Sequence, residues 1–353
     1  MKRIFILFLL FLGAFAHTTK AQSNCEQNLK QAEDLFNSGD YENCIQILEK
    51  SLKECNFSSK KKEDAFELLV KSYLDQDNLI KADAAVHDLL KNNPHYELKE
   101  TDSHEDFDIL VNKFDVHPLF TFGITNSVFI PEFKITNTYS ILENVDYTAP
   151  YKTPSTVLLY YPWFEYEFVK SLSFKAEVIS FKMNYDRNFS KKTGWIMTYR
   201  EDFSFVEVPL LVKKYLPIGK NILPYATLGM GYLRMLSAKG TSYLEDKHEN
   251  AFTGEKTDYS YYNENIDMLK MREKNSFELT AGAGIGYKFK NLGIFIDAKY
   301  CRGINSLTIA ENRFSNTELT NYYFYIDNSV KLNKYEVGIS ISYTLKNLIK
   351  KVR

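Results

Sequence analysis

The sequence predicts an all-β, transmembrane, eight-stranded antiparallel up-and-down barrel, preceded by a small all-α domain of helical repeats. Three observations predict it. The chain opens on a short charged and apolar leader, and its hydrophobic period changes from about 3.6 to 2 near Pro118. Beyond that point, eight two-periodic segments are joined by links that alternate strictly between short and long.

The leader sets the compartment. Lys2 and Arg3 precede the apolar run Ile4 to Ala16, broken only by Gly13. That is a signal-peptide pattern, too short to span a bilayer as a mature helix. Small residues allow cleavage after Ala16 or after Ala21, and we take residues 1–21 as the leader. Cys25 follows Gln22-Ser23-Asn24 instead of a small-residue box, so no lipid anchor is expected. No later run approaches the ~20 apolar residues of a membrane helix. The mature chain is therefore either soluble or crosses a membrane with strands. The 25 Tyr and 26 Phe crowd after Leu119, which favours strands. A net charge of −1 excludes general nucleic-acid affinity.

Residues 22–117 carry the helical period. Helices are expected from Gln27 to Asn37 and Tyr41 to Glu54, turning at Ser38-Gly39-Asp40, then from Lys61 to Asp75 and Leu79 to Asn92, turning at Gln76-Asp77-Asn78 and stopped by Pro94. Their apolar faces are Leu29, Ala32, Leu35 and Phe36; Ile45, Leu48 and Leu52; Phe66, Leu69, Val70 and Tyr73; and Ala82, Val86 and Leu89. A further helix, His104 to Phe114, would be capped by Asp102 or Ser103. Cys25 and Cys55 fall at the two ends that meet across the mouth of the first helix pair. In an oxidising periplasm they are expected to form a disulfide, with Cys44 a buried thiol. With no CxxC and no paired His, zinc is not expected, nor any other cofactor.

This segment resembles the tetratricopeptide repeat. Phe66, Leu69, Tyr73, Ala82, Val86 and Pro94 sit at that family's packing positions, as do Ala32, Leu35, Gly39, Tyr41, Cys44 and Leu48 in the preceding unit. Two departures stand out: Asn28 occupies the place of a large residue, and the linker Asn56 to Lys62 is longer than usual. The resemblance implies a partner-binding groove, although two units make only a small one. A domain that merely spaces or docks the barrel is the alternative.

The barrel is placed at residues 118–345, with a basic tail at 346–353. Its strands are Leu119 to Ile130, Thr156 to Glu167, Leu172 to Met183, Phe203 to Tyr215, Ile222 to Met235, Ser276 to Lys288, Leu292 to Arg302 and Lys334 to Thr344. Tyr335, Val337, Ile339, Ile341 and Tyr343 share one face of the last strand, against Glu336, Gly338, Ser340, Ser342 and Thr344. The links Phe168 to Ser171, Leu216 to Asn221 and Phe289 to Asn291 are short. Pro131 to Ser155, Asn184 to Asp202, Leu236 to Asn275 and Gly303 to Asn333 are long and polar. This parity is that of an outer-membrane barrel with tight periplasmic turns, and an even strand count returns both ends to the periplasm.

The region resembles a Bacteroidota outer-membrane β-barrel family, the PorT-like proteins. Phe205-Val206-Glu207-Val208-Pro209-Leu210-Leu211 with Lys213 and Tyr215, then Ile222-Leu223-Pro224-Tyr225 and Gly229-Met230-Gly231, carry the likeness. The basic tail after Tyr343 departs from the family's terminal aromatic. The resemblance implies an accessory role in secretion or envelope assembly.

Eight strands leave an interior that side chains fill. The inward ionisable residues are Glu165, Lys175, Glu177, Glu207, Lys213, Glu278, Lys288, Asp297, Lys299 and Glu336, expected to pair into a charge network. A proton path through them is the minor reading. Gly282, Gly284 and Gly286 lie mid-strand and precede no helix, so they bind no dinucleotide. A hydrolase would need a base at the outer rim, where His248, near Ser242, Asp246 and Glu249, is the sole outer-loop histidine. A solvated charged loop explains it better.

The expected function is thus non-enzymatic: a barrel, in contact with outer-membrane lipid and lipopolysaccharide, that anchors a module for a periplasmic protein partner. The alternative is a surface adhesin or receptor working through the loop Ser237 to Asn275 with Tyr243, Tyr259, Tyr261 and Tyr262.

Overall fold

The computed structural model describes residues 24–98, 105–143, 145–148, 150–190, 195–219, 221–249 and 256–352. The leader and the expected caps Asp102 and Ser103 lie outside these residues. The described residues form two compact units. One runs up to His117 and takes in Asn347–Arg353, and the other is Pro118–Lys346.

In the first unit, helix α1 covers residues 24–37, followed by α2 (Tyr41–Glu54), α3 (Ser59–Asp75), α4 (Leu79–Asn92) and the short α5 (Glu105–Asn112). Local chemistry sets these limits. Gly39 takes φ +81°, a conformation open to glycine, and lets the chain leave α1 while the Asp40 side chain accepts from Asn43 N–H to start α2. Asn78 caps α4 in the same way, accepting from Lys81 N–H. Ser58 caps α3, which therefore begins earlier than the period suggested, and the expected long linker shrinks to Asn56–Ser58. The apolar faces meet in one core that includes Ala32, Cys44, Leu48, Val70, Ala82, Val86 and Leu89, extended by Phe107 and Leu110 of α5. Asn28, where a large apolar residue was missing, donates to the Ser51 hydroxyl at 3.3 Å, so a polar contact holds that end of the pair.

The second unit is an antiparallel sheet closed into a ring. Its strands are β1 (Phe114–Asn137), β2 (Val157–Val169), β3 (Leu172–Glu177), β4 (Ile179–Ser190), β5 (Trp195–Tyr215), β6 (Ile222–Glu249), β7 (Lys256–Asp267), β8 (Asn275–Phe289), β9 (Leu292–Gly303) and β10 (Ser329–Lys351). β3 and β4 are one stave interrupted at Val178, and β7 pairs only with the far end of β6. The ring therefore has eight staves, β10 lying beside β1 and β5 beside β6. All eight expected strands are present.

Three expectations need correction. Asn184 to Asp202 is not a loop: β4 runs on to Ser190 and β5 begins at Trp195, the two paired from Asn184–Asp202 to Ser190–Ile196. The stretch Leu236 to Asn275 is not a loop. β6 continues to Glu249 and pairs with β7, Tyr243 opposite Tyr262. Its outer face is polar or tyrosine-bearing and its inner face mixes Ala238, Leu244 and Ile266 with Gly240 and Ser242, so apolar alternation marks it only weakly as strand. Nor is 346–353 a separate tail. β10 runs on to Lys351, Ile349 packs on the helical core, Val352 N–H donates to the Lys113 carbonyl at 2.7 Å, and Lys351 pairs with Asp83.

Outward side chains of the ring are apolar and unusually bare: Leu158 is 77% exposed, Leu228 66% and Ile341 62%. On β10, Tyr335 and Tyr343 bracket this band at about 27 Å along the strand, or about 21 Å upright at the usual barrel tilt.

Candidate functional site

The lumen is filled, and its charges sit in tiers named here from the short-turn end. Glu165, buried, accepts from Lys213 at 3.3 Å, the Tyr215 hydroxyl at 2.7 Å and the Ser173 hydroxyl at 2.8 Å. The Lys213 ammonium also lies 4.0 Å from the centroid of the Tyr225 ring and 4.4 Å from that of Phe295. Lys288 is at this end, its ammonium 5.4 Å from the Tyr215 ring centroid. In the next tier Glu177 takes Lys175 at 2.6 Å and Lys299 at 2.9 Å, and Lys299 reaches Glu336 at 3.3 Å. Tyr161 donates to Glu336 at 2.6 Å, and Tyr225 donates to Asp297 at 3.0 Å. Above these, Lys334 stands between Glu207 and Glu278, 3.0 Å from the latter. All ten ionisable residues chosen from the alternation thus lie on the lumen side. Nine are buried, and Lys288 is half-buried.

Small residues make room for this filling. A Cβ on Gly286 would meet the Phe295 ring at 2.3 Å, and one on Gly284 would meet the Tyr225 ring at 2.5 Å. The inward glycine run of β8 is therefore a bed for two aromatic rings from its neighbours.

Sequence reasoning missed Lys334 and a further tier toward the long-link end. There Arg272 pairs with Glu201, its Nε 2.7 Å from Oε1, and with Asp327 at 2.8 Å. Tyr185 and Tyr199 donate to Glu201 at 2.7 and 2.9 Å, and Tyr325 donates to Asp327 at 2.6 Å. Arg187 donates to the carbonyls of Tyr147 and Ile326 and faces the Tyr151 and Phe189 rings, each centroid 4.5 Å away. Arg272 and Asp327 lie outside the strands, in segments that dip inward, where no period could mark them.

Charges buried against opposite charges act as structural cross-links. Among the described residues, no group of three or more His, Cys, Asp or Glu could hold a metal ion. Ser242, one of the residues considered at the outer rim, is a buried residue of β6, and His248 pairs through its backbone with Thr257 of β7.

The helical unit offers a different surface. Cys25 and Cys55 are joined as a disulfide, with Cα atoms 5.8 Å apart. Cys44 is buried against the Ser72 hydroxyl at 3.4 Å, and burial pushes its thiol pKa up, keeping it neutral. A groove of about 390 Å³ opens between α2, α3 and α4, floored by Leu52, Phe66, Leu69, Tyr73 and Ala85. Lys53, Lys62, Lys81, Glu49 and Asp88 rim it. Tyr73 donates to Glu49, and burial followed by that carboxylate drives its phenol pKa well up.

No protein-family model matches the chain, and no curated protein does. Among solved structures it is similar to the outer membrane protein OprG from Pseudomonas aeruginosa, at 12% identity and a TM-score of 0.36, with 66% of this chain covering 97% of that one. It is similar to the outer membrane protein AlkL at 11% identity and a TM-score of 0.31, over 74% of this chain and 97% of that one. It is also similar to Ail, the attachment invasion locus protein of Yersinia pestis, at 12% identity and a TM-score of 0.24, over 64% of this chain and all of that one, 100%.

Proposed function

We propose that the protein is a non-enzymatic outer-membrane barrel that anchors a periplasmic protein-interaction module. The observation that carries this reading is the ring itself: an ion-paired interior inside a largely apolar outer band with tyrosines at its edges. Water does not tolerate so much bare apolar wall, whereas hydrocarbon requires it. The short links then face the periplasm, and with an even number of staves the helical unit lies there too. The Cys25–Cys55 disulfide suits that oxidising compartment. The groove, apolar at its floor and charged at its rim, fits an amphipathic peptide of a protein partner. Resemblance to PorT-like proteins supports an accessory role in secretion or envelope assembly.

A second reading, a surface adhesin or receptor, is favoured by the β6–β7 hairpin, where Tyr259 and Tyr262 are exposed. Photo-crosslinkers at Ala84 in the groove and at Tyr262 on the hairpin separate the two in living cells. The first reading predicts a discrete periplasmic adduct from Ala84. Adducts from Tyr262 alone, with extracellular partners, would replace it with the second.

A further inference from the structure

At one place several polar residues of the outer wall gather around a dent. Where β4, β5 and β6 run side by side, Lys182, Ser204 and Ser237 lie abreast, and Asn184, Asp202 and Lys239 form the next row. A register shift between Ser204 and Phe205 leaves Leu236 unpaired on β6 and dents the wall. The dent has a volume of about 560 Å³ and is closed on one side by Pro154, Thr156 and Val157. Both lysines are exposed, and within the first row the Ser237 hydroxyl donates to that of Ser204 at 3.0 Å.

Its height matters. Tyr232 and Phe277, ring centroids 5.7 Å apart, mark the long-link edge of the apolar band, and Tyr232 is paired with Val208. Ser204 is four residues further along β5, which is about 10 Å higher once strand tilt is allowed for. That is the depth of headgroup phosphates and the first sugars, just outside the hydrocarbon. Charge agrees. Arg200 is engaged by Asp202 at 3.5 Å, which leaves Lys182 and Lys239, with the exposed Arg234 below them, facing a lipid surface. Asp186, one row further out, and Asp267, opposite Lys239 on β7 and accepting from Leu269 N–H at 3.0 Å, are further carboxylates on this face.

We propose that this dent binds the phosphorylated sugar headgroup of an outer-leaflet glycolipid. Lys182 and Lys239 meet phosphate, and Ser204 and Ser237 hydrogen-bond the sugar. The site lies apart from the helical groove. It rests on the membrane assignment above but not on the partner of that groove.

The test uses the full chain, folded in detergent micelles, with bis-phosphorylated lipid A as probe and native mass spectrometry as readout. The pair Lys182→Gln and Lys239→Gln should weaken binding at least tenfold, and removing both phosphates from the lipid should do the same. A control pair on other staves, Lys134→Gln and Arg302→Gln, should leave binding within twofold. Equal binding by the Lys182/Lys239 variant, equal binding of the dephosphorylated lipid, or an equal loss in the control would overturn the proposal. Displacement of the lipid by millimolar inorganic phosphate would assign the dent to free anions instead. The readout in micelles does not depend on which way the barrel faces in the cell, so failure here leaves the topology to its own test.

Discussion

Lys334 gives the sharpest prediction, because one ammonium serves two buried carboxylates, Glu207 and Glu278. At 3.0 Å from Glu278 and an effective dielectric near 20, the gross attraction is about 5–6 kcal/mol, most of it offset by desolvation. Lys334→Met leaves two carboxylates facing each other without a counter-ion and should cost about 3–5 kcal/mol. Glu207→Gln acts in the opposite sense, since it leaves one carboxylate for one ammonium. It should cost under about 1 kcal/mol or stabilise the barrel. Combining Lys334→Met with Glu207→Gln and Glu278→Gln should recover most of the loss, the mark of an energetically coupled cluster. Urea unfolding of the folded barrel in detergent, followed by the heat-modifiable shift in gel mobility, measures all three. Equal losses for Lys334→Met and Glu207→Gln would refute the argument, because they would mean that side-chain volume, not charge balance, governs the tier.

Gly286→Ala should destabilise the barrel by about 1–3 kcal/mol by pressing on the Phe295 ring, and Phe295→Leu in the same chain should restore part of it, as read by the same unfolding curves. Opening the disulfide with Cys25→Ser and Cys55→Ser, which frees a loop of 30 residues, should lower the stability of the helical unit by at most about 3.6 kcal/mol, seen in the urea midpoint of its helical circular dichroism. Tyr73 and Tyr96 have phenol pKa values raised chiefly by burial, then by Glu49 and Glu67 respectively. A raised folded-state pKa gives stability that is complete below the unfolded value of 10.0 and lost as pH climbs beyond it. The helical unit should therefore weaken from about pH 10 upward, and Tyr73→Phe with Tyr96→Phe should flatten that slope in urea titrations at several pH values.

The sequence was most readable where the environment on the two faces of a strand differs most. In β10, Val337, Ile339 and Ile341 face outward while Glu336, Ser340 and Ser342 face the lumen, and alternation alone separates them. Inward ionisable residues followed from the same parity. Their partners did not: Lys334 meets Glu207 from a distant strand, and such register is set by closure of the ring. Beyond the apolar band the outer faces of β6 and β7 are polar or tyrosine-bearing and the inner faces mix Ala238, Leu244 and Ile266 with Gly240 and Ser242, so the contrast that marks a strand fades. In the tail, lysines at positions 346, 350 and 351 suggested a solvated end and masked Ile349, which packs on the helical core. Helix limits were legible to within a few residues, since Gly39 and Asn78 state them locally, whereas the Ser58 cap was overlooked among lysines.

The topology bears most directly on the account, and labelling in cells tests it. Single cysteines at two exposed positions, Ser260→Cys on β7 and Lys60→Cys on α3, are exposed to a membrane-impermeant maleimide. The account predicts labelling of Ser260→Cys on intact cells and of Lys60→Cys only after the outer membrane is opened. Protection of both, with the protein recovered in the soluble periplasmic fraction, would contradict the membrane barrel. Labelling of Lys60→Cys alone would invert it.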